Sequence, residues 1–150
     1  MIKREIIAKS DFIISFGSML ADDKKDIRNS IIESIAKTNA KFTYMHPIDN
    51  IDLKLYYTQF IKYEVGSEEG ICALLMDTFI KECDENTRKF INDLDLGYIS
   101  AESSAGEEEF EEAYSNYLKA KNKLLIIGDD LIEHEKIENI IKLLALIKKY

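Results

Sequence analysis

The sequence predicts an α/β fold: a three-layer, Rossmann-like sandwich built on a four-stranded parallel sheet in the order 3-2-1-4. Three observations carry this. Phe12–Phe16 and Leu124–Ile127 are short, nearly unbroken apolar runs, as suits strands covered on both faces. Segments with helical periodicity separate the strand-like runs, and parallel strands need such long return paths. Each run ends in turn chemistry, at Gly17-Ser18, His46-Pro47, Gly66-Ser67 and Gly128-Asp129. Right-handed crossovers give the strand order, with the topological switch beside the first strand, where ligands of such sheets usually sit.

After the first strand, Asp22 and Asp23 offer N-cap oxygens to a helix whose inner stripe is Ile27, Ile31, Ile35 and Ala36. Lys41–Met45 reads as the second strand, stopped by His46-Pro47 because proline cannot continue a ladder in mid-sheet. Asp49–Tyr57 reads as an irregular or single-turn connection. Phe60–Val65 alternates, the mark of an edge strand with one wet side. Ser67 is placed to cap a helix from Glu68 to about Cys83, with Ile71, Leu74, Leu75, Thr78 and Phe79 as its stripe.

Asp84–Leu94 adds a helical turn or two, and Asp95–Gly106 is the longest stretch without a period, read as a loop. Ser104 and Glu107 have capping-box spacing ahead of a helix burying Phe110, Ala113, Tyr114, Tyr117 and Leu118. Leu124–Ile127 is the last strand. A terminal helix runs from about Glu133 to Lys149, with Ile137, Ile140, Ile141, Leu144 and Ile147 inside.

The chain has 150 residues, which fits a single domain over 1–150. Twenty Lys and Arg against 28 Asp and Glu leave a net charge of −8, a surface that repels phosphate backbones. No nucleic-acid or anionic-membrane partner is expected. The apolar runs fall far short of the ~20 residues that span a bilayer. Met1–Ser10 carries no signal-peptide pattern, so the chain reads as cytosolic. Cys72 and Cys83 are too few and too far apart for a disulfide framework or a Cys-rich metal site, and Cys72 reads as a small buried hydrophobe.

The groups that could carry chemistry each have a plainer role. His46 could be a ligand or proton carrier but reads as a strand-end residue capping a turn, and His134 as a surface residue. Glu107–Glu109 with Glu111 and Glu112 could dock a basic partner, against a solvated first turn favoured by the helix dipole. Asp129 and Asp130 could hold Mg²⁺, against helix capping. Tyr114 and Tyr117 fit the core, whereas Tyr56-Tyr57 is the better interface candidate. No Ser–His–acid or Cys–His set exists, so no catalytic residue and no metal site are expected.

Taken in order, SDFIISFGSMLADD, AKFTYMHPID, FIKYEVGSEEGICALLMDTF and KLLIIGDDLIEH resemble the dinucleotide-binding α/β domain of the molybdopterin oxidoreductases. Within that group the phrasing is most similar to the branch found in bacterial NADH–quinone oxidoreductase, respiratory complex I, as its molybdopterin oxidoreductase-like subunit. In cofactor-binding members a Gly-Ser-Asn loop approaches the phosphates; here Gly17 and Ser18 match, and Met19 replaces the asparagine. Their second strand ends Asp-Pro-Arg, with the carboxylate reading guanine; here it ends His46-Pro47-Ile48. Their Pro-Gly-Thr-Asp is matched by Val65-Gly66-Ser67-Glu68.

The resemblance therefore implies a structural, cofactor-free domain of a longer subunit, although Met1 is equally compatible with a native start. Its vestigial site would comprise Gly17, Ser18, His46, Gly66, Ser67, Glu68 and Gly128. Losing a buried polar partner costs about 1–3 kcal/mol, so two such losses leave guanine binding marginal. Iron–sulfur clusters are expected elsewhere in the parent subunit, with the rest of that subunit and neighbouring complex I subunits as partners. The implied location is cytoplasmic, peripheral to the inner membrane. The alternatives are a working molybdopterin guanine dinucleotide-binding domain and an independent small regulatory or hydrolytic protein.

Overall fold

The computed structural model describes residues 3–150. Met1 and Ile2, which open the segment read as free of a signal pattern, lie outside them. The elements are α1 (Arg4–Lys9), β1 (Phe12–Phe16), α2 (Lys25–Thr38), β2 (Lys41–Met45), β3 (Gln59–Ile61), α3 (Glu68–Phe79), α4 (Glu85–Asn92), α5 (Leu96–Ser103), α6 (Glu107–Lys119), β4 (Lys123–Ile127) and α7 (Ile137–Lys149). Single 3-10 turns lie at Asp22–Lys24, Ile51–Leu53 and Asp129–Leu131. The sheet is all-parallel, in the predicted order β3-β2-β1-β4, and is flanked by helices. Two compact units make up the chain. One runs up to Lys62 and includes Ser115–Asp130; the other is Tyr63–Tyr114 with Leu131–Tyr150.

The first unit holds the sheet. Every residue of β1 is buried, which explains its continuous apolarity. Ile13, Phe42, Tyr44 and Ile126 pack with Ile7 of α1, Ile31 of α2, Leu20 and Leu53. Ser34 and Thr38 hydroxyls donate to the Ser10 carbonyl, tying α2 to the chain entering β1. Asp11 fixes the start of β4, its carboxylate accepting from the backbone N–H groups of Lys121 and Asn122. Burial alone would raise the Asp11 carboxyl pKa, but these N–H groups outweigh it and the net shift is downward.

Several expectations in this unit need correction. Asp22 and Asp23 do not cap α2: Asp22 pairs with Arg28 at 3.1 Å, and no side chain caps the helix. Ala36 is exposed, and Ser30 and Ser34 are buried beside Ile31, which their hydroxyls allow by donating to the Asp26 and Ser10 carbonyls. The third strand covers only Gln59–Ile61, since pairing with β2 begins at Thr43 and ends at Met45, where β2 ends. Beyond it the chain leaves the ladder, and a turn forms in which the Ser67 N–H and hydroxyl both donate to the Glu64 carbonyl. That bond also removes Ser67 as the expected cap of α3.

In the second unit α3 packs against α5 and α7. Its Ile71–Met76 segment is wholly buried, Cys72 included. The helix stops at Phe79 rather than Cys83, and Asp84 opens α4 by accepting from the Thr87 N–H at 2.8 Å. The segment read as a loop, Asp95–Gly106, contains α5. Asp95 caps it through the Tyr98 N–H, and Ser104 ends it in a left-handed conformation. Ser104 is therefore not the start of a capping box; the Glu109 carboxylate reaches back to the Gly106 N–H instead. Leu118 is 61% exposed, so α6 buries only Phe110 and Ala113 fully. The last helix begins at Ile137, not Glu133, and turns Ile140 and Leu143 inward while Ile141 is exposed.

Two measurable consequences arise here. Burial, followed by the Glu69 and Glu68 charges, pushes the Cys72 thiol up to about 12. A thiol reagent at neutral pH is expected to label half-buried Cys83 in the folded protein and Cys72 only after denaturation. Asp84 is held at about 2 by the Tyr150 hydroxyl and then by the Thr87 N–H. A depressed carboxyl stabilises the fold above its unfolded pKa of 3.8, and the contribution disappears as pH falls through about 2. Asp84→Asn is therefore expected to flatten part of the acid-unfolding curve between those values, read by circular dichroism against the unchanged protein.

Candidate functional site

The candidate site of the first unit lies at the carboxyl ends of β1, β2 and β4. After β1 the chain turns through Gly17, whose φ of 79° is open to glycine at little cost. The Ser18 hydroxyl accepts from the Leu20 N–H at 3.2 Å, closing a local turn. Leu20 itself is buried at φ 53°, an uncommon conformation for a branched side chain. Its carbonyl is held by the Asn50 amide and the Arg28 guanidinium, both at 3.3 Å, and Asn50 also donates to the Met19 carbonyl at 2.7 Å.

The β4 tip presses on the same turn. The Gly128 N–H donates to the Phe16 carbonyl at 2.7 Å, and the Asp130 N–H to the Gly17 carbonyl at 3.0 Å. A Cβ built on Gly128 would overlap the Gly17 carbonyl group and the Ser18 Cβ. This close approach requires glycine at position 128.

His46 stands at the end of β2 and is 6% exposed. Its Nδ1 lies 3.0 Å from both the N–H and the carbonyl of Ile48. The Ile48 N–H can only donate, so Nδ1 is its acceptor and Nε2 carries the proton; the Ile48 carbonyl accepts from the Tyr44 hydroxyl at 2.9 Å. Nε2 donates to Asp130 Oδ2 at 2.9 Å. His46 thus caps the turn, as its position suggested, and also joins the β2 and β4 tips. The Tyr44 ring stacks on it at 6.0 Å, and Tyr57 and Phe60 stack on Tyr44 at 6.1 and 5.4 Å. Burial, then the Asp49 and Asp130 charges, raises the Tyr44 phenol pKa and keeps it a hydrogen-bond donor.

Asp129 and Asp130, read as helix caps or as a candidate Mg²⁺ pair, each have an ion-pair partner in the chain. Asp129 pairs with Lys24, and Asp130 with His46. Among the described residues no cluster of three or more His, Cys, Asp or Glu side chains is placed to hold a metal ion. Tyr57 is half-buried in the stack, and of the Tyr56-Tyr57 pair only Tyr56 faces outward.

Gly66, Ser67 and Glu68 belong to the second unit. There His134, expected at the surface, is tucked in with a side chain 8% exposed. Its Nδ1 accepts from the Lys136 N–H at 3.0 Å, which leaves the proton on Nε2, and Nε2 donates to the Gly66 carbonyl at 3.1 Å. Glu68 Oε2 lies 3.2 Å from the same nitrogen but accepts no hydrogen bond, because that proton is aimed at Gly66. The side chains at both altered motif positions therefore face partners from this chain: Asp130 for His46, His134 for Glu68.

The sequence missed Asn50, Tyr44 and Arg28 as the groups that fix the β1 and β2 tips. A polar Asn inside a connection and an Arg on an otherwise amphipathic helix were the available signals.

Neither a protein-family model nor a curated protein matches the sequence. Among solved structures, the chain is similar to acetylene hydratase from Pelobacter acetylenicus, with a TM-score of 0.77 and 8% identity. The match covers 97% of this chain and 23% of that one. At this identity the likeness shows the fold alone. That fold is an α/β one, as the parallel four-stranded sheet already shows. Among the described residues no helix is long and apolar enough to cross a membrane.

Proposed function

We propose that this chain is a structural, cofactor-free domain of the molybdopterin oxidoreductase-like subunit of NADH–quinone oxidoreductase, bracing the electron-input arm of respiratory complex I. The single observation that carries this reading is the state of His46. A guanine edge needs an acceptor for its N1–H and N2–H₂ groups, and the one acceptor nitrogen of His46 is taken by the Ile48 N–H. The other nitrogen is a donor, and it is committed to Asp130. The abutting β1 and β4 tips support the same reading, because Gly17 and Gly128 pack on each other. In this role the iron–sulfur clusters belong to other parts of the parent subunit. The partners are those parts and neighbouring subunits, on the cytoplasmic side of the inner membrane.

A second reading has specific support. The fold neighbour is an enzyme, acetylene hydratase, and Asp130 brings a half-exposed carboxylate to the β2 tip from β4. A molybdopterin guanine dinucleotide-binding domain would use that carboxylate, with the Gly17-Ser18 turn near the phosphates.

Purification of the chain from its native cells, followed by mass spectrometry and acid release of pterins, separates the two. The structural reading expects co-purification with NADH–quinone oxidoreductase subunits and no stoichiometric pterin. A pterin nucleotide at one equivalent would overturn it.

A further inference from the structure

The second unit contains a cavity of about 470 Å³ that the proposed function does not use. It opens among α3, α4, α5 and α7. Gly70 and Ala73 of α3, Phe90 of α4 with the following Leu94, Ile99 of α5 and Leu143 of α7 give it an apolar lining. The volume falls within the range of small-ligand pockets, roughly 300–1,000 Å³. Two features shape it. Gly70 faces Ile99, whose Cγ2 would lie 3.0 Å from a Cβ there, so a side chain at that position would need the neighbouring wall to give. Phe90 lies at the cavity with 45% of its surface exposed, an apolar cost with no return in the free protein.

The polar side of the cavity is asymmetric in charge. Glu69 is neutralised: one carboxylate oxygen accepts from Asn139 at 3.1 Å and the other pairs with Lys136 at 3.0 Å. Lys142 also lines the cavity, and its ammonium group has no hydrogen-bond or ion-pair partner among the described residues. An apolar chamber with one uncommitted ammonium group is complementary to an apolar molecule carrying one negative charge.

We propose that this cavity binds a small amphipathic monocarboxylate, with its hydrocarbon part against Ala73, Leu94, Ile99 and Leu143, Phe90 folded over it, and its carboxylate on Lys142. Exposed ion pairs contribute about 1 kcal/mol or less, so the charge selects the ligand while burial of the hydrocarbon supplies most of the affinity.

Calorimetric titration of the full chain with octanoate and with octyltrimethylammonium tests this. Octanoate is expected to bind at one site and the cation at least about fivefold more weakly, the factor equivalent to ~1 kcal/mol. Lys142→Glu is expected to weaken octanoate by about fivefold or more, and Phe90→Ala to weaken both probes. Lys148→Glu, on the same helix but outside the lining, controls for net charge and is expected to leave binding unchanged. Circular dichroism verifies that each exposed-site variant is folded. Absence of octanoate binding, equal affinity for the two probes, or equal effects of the Lys142 and Lys148 changes would overturn the proposal.

Discussion

Replacing Gly128 by alanine is expected to destabilise the protein by about 3 kcal/mol or more, or to prevent folding altogether. The reason is steric. The new Cβ would occupy the space of the Gly17 carbonyl group, which is backbone and cannot rotate away. Moving it would also break the Asp130 N–H bond to Gly17 and the Gly128 N–H bond to Phe16, so the β1 and β4 tips would part. Gly66→Ala supplies the contrast. Gly66 adopts φ 89°, but nothing lies within 4 Å of its built Cβ. Its cost is conformational only, of order 1–3 kcal/mol. Denaturant midpoints of the two variants measure the difference; equal losses would show that the tips are not packed as described.

Tyr44→Ala is expected to cost about 3–5 kcal/mol, in the range of large aromatic truncations in cores. Tyr44 is fully buried on β2 and supports three rings, those of His46, Tyr57 and Phe60. Its hydroxyl also donates to the Ile48 carbonyl, in the turn that His46 caps. Tyr44→Phe keeps the stack and removes that bond, together with the long 3.5 Å one to the Met19 carbonyl, for about 1 kcal/mol. In the Phe variant the Ile48 N–H still needs Nδ1 as its acceptor and Asp130 still accepts from Nε2–H, so the His46 tautomer is expected to stay unchanged. Nitrogen-15 chemical shifts of the imidazole report this directly. A proton moved to Nδ1 would show that the Tyr44 hydroxyl, rather than the Ile48 N–H and Asp130, sets the tautomer.

The sheet was largely legible because its signals are strong and local. Phe12–Phe16 lacks alternation since both faces are buried, and Pro47 marks the end of β2 because it cannot donate to a ladder. The third strand is shorter than its pattern because alternation persists through Lys62–Val65, where no partner strand remains to pair with it. Helix α5 was invisible for a different reason. Its residues, LGYISAES, have no apolar stripe, and Ser103 is its only buried residue, so caps at Asp95 and Ser104 define it rather than periodicity. At the candidate site, motif matching located Gly17, Ser18, His46 and Gly128 at neighbouring strand tips. It could not show that His46 and Glu68 each face a partner distant in sequence, Asp130 84 residues from His46 and His134 beyond α6 from Glu68.

The one acceptor nitrogen of His46 is already spent on the Ile48 N–H, so a guanine base finds no acceptor there. Calorimetric titration of the purified protein with guanosine diphosphate tests this most directly. No saturable heat is expected up to millimolar nucleotide. A one-site isotherm with a dissociation constant in the micromolar range, abolished by Asp130→Asn, would contradict it.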